Sequence, residues 1–425
     1  MKHLMVTFMM AVIVGSVIGQ SEFADPNTPV TLPEYLRVAA ENNAGLKSSF
    51  HRWQMAAAQV PQAKALDDPR FTYGYFIEEI ETRTGPQKQR FGLSQKFPWF
   101  GKIDARTDAV AAAAKAAYKR YEADKLALFG QVKRAFYEYA YLYEAIDIAR
   151  QNLELLKHFE QVAQARYRAA AAEHPDIIRA QIELALMEDH LKGLENMLAP
   201  VTSEVNALLN RHVDIQLDRP QRSESVLADV DETQIVTLIA ERNPQIAALR
   251  DEITAARSRL HLADKRYQPD ITLGVDWIQT DDARMDGVSG SGRDPIIAMV
   301  SVNIPLWGES NNAGKQQAQA SMRAARQKKE QTQLDLSARA ANVLYRINES
   351  NRKAVLYEST LIPKAREMVE VSESSYRAGG IDFLNLIDAQ RKLLTFEVTY
   401  QRILTDHFQA LAQLEILTGG QMPLK

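Results

Sequence analysis

Residues 95–106 read "QKFPWFGKIDAR", and how they are read decides the fold. Before them polar and apolar residues alternate, the two-residue period of a strand. After them alanine-rich sequence runs from 103 to 172 with little punctuation, as a very long helix would. Pro98 cannot donate to a ladder, so it ends the strand. Trp99 and Phe100 follow, and Gly101 supplies a turn into the helix. "VNIPLWGESNNA" at 302–313 repeats the device, with Pro305, Trp307 and Gly308 in the same places.

The repetition extends outward from that motif. "AAENNAGL" (39–46) faces "IAERNPQI" (239–246), and "DPRFTYGY" (68–75) faces "QPDITLGV" (268–275), both at an offset of 200. The opening motif repeats at 207, and "YRAAAAEHPDIIRAQ" (167–181) faces "YRAGGIDFLNLIDAQ" (376–390) at 209. Four matches in one order imply an internal duplication. Each half then reads helix, strand, strand, long helix, helix. The first helices are expected at 32–66 and 233–266, with Thr31 and Asp231 near their starts. Strands are expected at 70–80 and 89–98, and again at 270–280 and 296–305. The long helices should cover 103–172 and 310–378, and the last helices 175–210 and 382–418. This divides the chain into a first repeat at 20–210, a polar linker at 211–231 and a second repeat at 232–425. Along the first long helix Leu126, Phe129, Val132, Phe136, Tyr139, Tyr143 and Ile146 recur at steps of three and four, a buried stripe.

Composition narrows the function. Of 425 residues 46% are hydrophobic, so a large core is possible. The 51 basic and 54 acidic side chains nearly balance, so nothing suggests a nucleic-acid partner. There is no cysteine, which excludes disulfides, thiolate metal sites, a cysteine nucleophile and a lipid-bearing cysteine. "MKHLMVTFMMAVIVGSVIGQSEF" has a short basic start, an apolar run and small residues, the layout of a secretory signal occupying 1–19. Beyond it no apolar run reaches the length of a transmembrane helix.

The strands alternate. Phe71, Tyr73, Tyr75 and Ile77 oppose Thr72, Gly74 and Glu78, with Phe76 an exception; Ile271, Leu273, Val275 and Trp277 oppose Thr272, Gly274 and Asp276. An ordinary half-buried sheet would alternate too, but context favours lipid. Each strand has the length of a tilted transmembrane strand. The hairpin loops expected at 81–88 and 281–295 are polar and Gly-rich, and Trp99, Phe100, Trp277 and Trp307 would sit at headgroup level. Open sheet edges are untenable in hydrocarbon, and four strands are too few to close a barrel. The barrel must be shared between chains: two would make the smallest barrel, and three would make twelve strands around an aqueous lumen, as the polar inner faces ask.

With these features the chain resembles the TolC-like family of outer-membrane efflux ducts. The resemblance rests on the doubled plan, on "FPWFGK" and "IPLWGE" after the outward strands, and on "YRAGGIDFLNLIDAQ". It implies a mainly α fold with a small transmembrane β part, a homotrimer with a twelve-stranded barrel in outer-membrane lipid, and a helical tunnel in the periplasm. The tunnel's inner end would meet a periplasmic adaptor and an inner-membrane pump, with the resistance-nodulation-division type and the heavy-metal branch among the candidates. It implies a passive conduit with no cofactor.

The same resemblance places a gate at the hairpin tips. Tyr376, Arg377 and Gly379 match the tip of the second half. Asp388 keeps one of two aspartates that family members often carry there, whereas Asn385 departs from the second. Asp382 lies nearby, where it either adds to an acidic ring or caps the last helix. By repeat, Tyr167 and Arg168 occupy the matching turn of the first half, and Asp176 matches Asn385. Neighbouring tips would bring the Tyr376 hydroxyl to an acid such as Asp176; the alternative is that Tyr376 only packs and Asp176 only caps its helix.

Catalysis has little support. The eight histidines never fall at helical metal-pair spacing, and "GESNNAGK" (308–315) lacks the Ser or Thr a phosphate loop needs after Lys315. The competing reading is a periplasmic coiled-coil adaptor without a pore, which would have one helical hairpin rather than two.

Overall fold

A computed structural model describes residues 29–221 and 230–420, so the leader expected at 1–19 lies outside the described residues. The first half runs α1 (Leu32–Asn42), α2 (Ala44–Lys64), β1 (Arg70–Thr82), β2 (Gly85–Phe97), α3 (Lys102–Arg168), α4 (His174–Asn196) and α5 (Leu198–Leu208). The second runs α6 (Ile235–Arg242), α7 (Pro244–Asp264), β3 (Ile271–Thr280), β4 (Ile296–Val302), α8 (Gly308–Leu356), α9 (Ile362–Ala378) and α10 (Phe383–Leu417). The duplicated plan is present. The 67 residues of α3 extend about 100 Å at ~1.5 Å per residue.

Four expected helices are broken: the one at 175–210 divides into α4 and α5 at Met197, and the other three breaks each have a nameable cause. The helices at 32–66 and 233–266 kink at Asn43 and Asn243. The Asn43 side chain accepts from Leu46 N at 2.9 Å and donates to Leu208 O at 2.9 Å, the last carbonyl of α5. Asn243 does the same with Gln245 N at 2.9 Å and Leu417 O at 3.0 Å. One amide thus caps a helix start and satisfies an orphan helix-end carbonyl in each half. In the expected helix at 310–378, a π-helical turn at Tyr357–Leu361 separates α8 from α9. Pro363 follows and leaves the Ser359 carbonyl without its helical donor; Glu154 stands at the matching place in unbroken α3.

The strands form one antiparallel sheet in the order β1-β2-β3-β4, so the two halves pair through β2 and β3. On one face lies an apolar row of Phe71, Leu93, Val275 and Ala298. Beside it Tyr73, Phe91 and Trp277 form an aromatic row with successive centroids 5.3 Å apart. The other face carries Thr72, Gly92 and Asp276 in register, and Lys96, Thr272 and Ser301 in another row. There Arg90 pairs with Asp276. A Cβ at Gly92 would stand 2.4 Å from the Asp276 carboxylate, so glycine leaves room for that pair.

Three details of the sheet differ from expectation. The first hairpin loop is a two-residue turn at 83–84 rather than 81–88, because Thr82 pairs with Gly85, which takes φ 132°. Strand β4 ends at Val302 rather than 305, where Asn303 N turns to Asp270 O at 3.2 Å. Gly101 has φ 74° and turns the chain into α3 as expected, but its counterpart Gly308 is simply the first residue of α8, with no left-handed backbone.

Three cores hold the helices. Tyr35, Val132, Phe136, Tyr139, Val205 and Leu209 pack in the first half; Ile235, Ile239, Val343, Ile347, Leu414 and Leu417 are their counterpart in the second. The third core joins both halves at the far end from the sheet, where Leu156, Phe159, Ile177, Tyr376, Phe383 and Leu386 meet.

Candidate functional site

The tips of the two helical hairpins bring the predicted gate residues together. Hairpin one is α3, a turn at 169–173, and α4; hairpin two is α9, a turn at 379–382, and α10. Both turns close alike: Ala171 N donates to Arg166 O and Gly380 N to Ser375 O, each at 2.8 Å. Such a turn needs one left-handed residue. Gly379 fills that place at φ 82°, and Ala170 is forced into it at φ 56°.

Tyr376 is the centre of the site. It is 1% exposed, stacks edge-on against Phe383 at 5.3 Å, and donates its hydroxyl to Asp176 Oδ2 at 3.1 Å. Asp176 sits in the first turn of α4, where the helix dipole favours a carboxylate. Its carboxylate accepts from Tyr376 and lies 3.6 Å from Arg179. The bond joins hairpin one to hairpin two within one chain. Burial, and then the Asp176 charge, pushes the Tyr376 hydroxyl up to about 12, so it remains a donor at neutral pH.

The other predicted residues divide. Arg377 pairs with Glu373 at 2.5 Å and meets His158 Nε2 at 3.0 Å, a second link between the hairpins, here from α9 to α3. Asp382 caps α10, accepting from Asn385 N at 3.1 Å. Asn385 contributes that backbone donor. Asp388 is exposed and paired with Lys392 one turn on, at 2.7 Å. Tyr167 is exposed and packs its ring on His174 at 5.5 Å, and Arg168 donates to the Gln164 carbonyl at 3.4 Å; among the described residues neither is brought to the Tyr376 cluster.

Some tip residues escaped sequence reasoning. Arg166, whose guanidinium lies 4.4 Å from the centre of the Tyr376 ring, carries no motif. His158 and Glu373 lie 2.9 Å apart but 215 positions apart in the chain. Buried Asn152 and Gln390 bond at 2.9 Å between α3 and α10. Asn43 and Asn243 had a signal, since the matched "AAENNAGL" and "IAERNPQI" carry them at one offset.

At the other end, the expected aromatic anchors lie at both rims of the sheet. Trp99 is half-buried, its backbone N–H donating to Asp270 Oδ1 at 3.2 Å, while Phe100 and Trp307 are exposed where the sheet meets the helices. Trp277 lies toward the 281–295 loop, its indole donating to Asp294 at 3.1 Å. Among the described residues no helix is long and apolar enough to cross a membrane, and no cluster of His, Asp or Glu is placed to hold a metal.

Comparison with known proteins agrees with this architecture. The family profile described as "Outer membrane efflux protein" matches residues 35–210 and 235–420. The cobalt-zinc-cadmium resistance protein CzcC of Cupriavidus metallidurans is 21% identical over 394 residues, 92% of this chain and 90% of that protein. The outer-membrane channel OprN superposes with a TM-score of 0.78 at 18% identity, covering 92% of this chain and 90% of that one. The outer membrane protein VceC of Vibrio cholerae does so with a TM-score of 0.75 at 19% identity, covering 92% and 96%. With two matched repeats spanning most of its length, the chain belongs to the outer membrane efflux protein family and is an outer-membrane efflux channel rather than an enzyme.

Proposed function

We propose that three copies of this chain close a twelve-stranded barrel over a helical tunnel, and that the Tyr376–Asp176 bond latches each copy's hairpin tips shut. The observation that carries the assembly is the sheet: β1 and β4 are both edges, and one face is a field of exposed apolar and aromatic side chains. Lipid tolerates neither an open edge nor a single four-stranded sheet. A second support is the apolar stripe of Ile178, Ile182 and Leu186 on α4, exposed in one copy, facing away from the tip core. It suits helix packing against a neighbour, for which Tyr345, Val355 and Val371 on α8 and α9 are exposed counterparts. Channels of the family trimerise and work with an adaptor and an inner-membrane pump.

Tyr376→Phe tests the latch by keeping the ring and removing the hydroxyl. A hydrogen bond to a charged acceptor is worth about 1.5–3 kcal/mol, so the open fraction of reconstituted channels should rise about tenfold or more per latch. Asp176→Asn, which keeps a neutral acceptor, should have a smaller effect. Parent-like ionic conductance in both variants refutes the latch. For the pump, likeness to a cobalt-zinc-cadmium resistance protein supports a metal exporter as partner. A strain lacking this channel should then lose tolerance to cobalt, zinc or cadmium, and unchanged tolerance rejects that assignment.

A further inference from the structure

Arg166 sits in the last turn of α3, yet its side chain serves the opposite hairpin. Its guanidinium lies over the Tyr376 ring at 4.4 Å, and one terminal nitrogen donates to Ala171 O at 2.6 Å. A Cβ added at Gly379 would stand 3.4 Å from the same guanidinium, so the head group fills the space between ring, tip carbonyl and glycine. Its Nε is buried without a hydrogen-bond partner, and it makes no ion pair among the described residues. A partly buried arginine with no carboxylate is an unfavourable thing to keep unless its charge is used on something else. The aromatic face of Tyr376 is what it faces.

The repeat separates two roles at this position. Ser375 matches Arg166 at the 209 offset, and the carbonyls of both close their tip turns with the same 2.8 Å bond. The turn therefore needs the backbone here and not an arginine. The Arg166 side chain is an addition specific to hairpin one, lying where the latch tyrosine of hairpin two docks.

The geometry points to Arg166 as a positioning residue of the latch: it holds the Tyr376 ring beneath the first tip turn so that the hydroxyl meets Asp176, and through Ala171 it ties the closed latch to the shape of that turn. This rests on the latch reading above. The Asp176 bond holds the hydroxyl end of the tyrosine, and the guanidinium lies over its face while also acting on the hydroxyl. Variants at 166 and 376 must therefore be combined to isolate the contribution made through the ring. A partner that reshapes the 169–171 turn would shift the guanidinium and weaken the latch without touching Tyr376.

The test is ionic conductance of the full-length trimer in planar bilayers, for Arg166→Gln, Arg166→Lys, Tyr376→Phe and Tyr376→Leu, and for Arg166→Gln combined with each tyrosine variant. Arg166→Gln should raise the open fraction about two- to tenfold per latch, the range commanded by a cation over an aromatic face. Arg166→Lys, which keeps a cation, should restore much of the closure. The Arg166→Gln effect should persist in Tyr376→Phe, which keeps a ring, and vanish in Tyr376→Leu, which does not. Three outcomes overturn the proposal. If Arg166→Gln conducts like the parent while Tyr376→Phe leaks, the latch stands and Arg166 has no part in it. If Arg166→Gln leaks equally with Leu at 376, the arginine acts on something other than the ring. If no Tyr376 variant leaks, the latch itself fails and this role falls with it.

Discussion

Val275→Arg puts the lipid-facing assignment at risk. Val275 belongs to the row Phe71, Leu93, Val275, Ala298, which is apolar across all four strands, and it is 51% exposed. Leu273 belongs to the next outward row, which also contains Gln95. Two residues at ~3.4 Å each along a strand tilted ~40° separate these rows by about 5 Å of depth. An arginine near the midplane of the lipid face costs about 2–4 kcal/mol and little at the interface. Val275→Arg should therefore cost about 2–4 kcal/mol per copy and Leu273→Arg less. Thr272→Arg, directed to the face that carries Lys96 and Ser301, should assemble normally. Heat-modifiable migration of the trimer and urea-dependent refolding into lipid vesicles measure the cost. Equal defects at 272 and 275, or a larger one at 272, would show that the two faces have been exchanged.

Other outcomes follow from the tips and the second core. Ala170→Gly relieves a left-handed alanine at φ 56° and should stabilise the protein by about 0.5–1 kcal/mol, read as a higher urea midpoint; a lower midpoint contradicts the reading. His407 is fully buried, with Nδ1 3.1 Å from the Ser350 hydroxyl, and burial pushes it down from 6.5 to about 4. Protonation thus favours the unfolded chain. The stability that the neutral ring contributes is complete above pH 6.5 and declines towards pH 4, by about 3 kcal/mol in all. His407→Gln should flatten that slope in unfolding midpoints measured between pH 7 and 4.5, and an identical slope rejects it. Asp388→Ala leaves Lys392 unpaired and should lower cation selectivity in reversal-potential measurements, whereas Lys392→Ala should raise it. No change in either variant removes Asp388 from the conduction path.

How much could be read without coordinates follows from the range of each interaction. The strand faces, the long helices and the duplication are written in local periods and in matches at near-constant offset, so alternation at 71–75 and 271–277 and the stripe along α3 predicted them directly; beyond Tyr75 an irregularity in the β1–β2 register interrupts the pattern. The end of β2 before Pro98 was legible because proline has no N–H to donate to the ladder. The helix breaks were less so. Asn43 stops a helix because it meets Leu208 O, 165 residues away, which no local pattern encodes. The sequence allowed Tyr376 to approach an acid and left Asp382 between cap and ring. Only tertiary packing brought Asp176 to the hydroxyl across 200 residues. It also placed Arg166 over the ring, although nothing in "ARYRAA" (165–170) distinguishes that arginine from Arg168 two positions on. On a helix two positions apart means opposite sides, and which side meets the second hairpin is decided by how the hairpins cross.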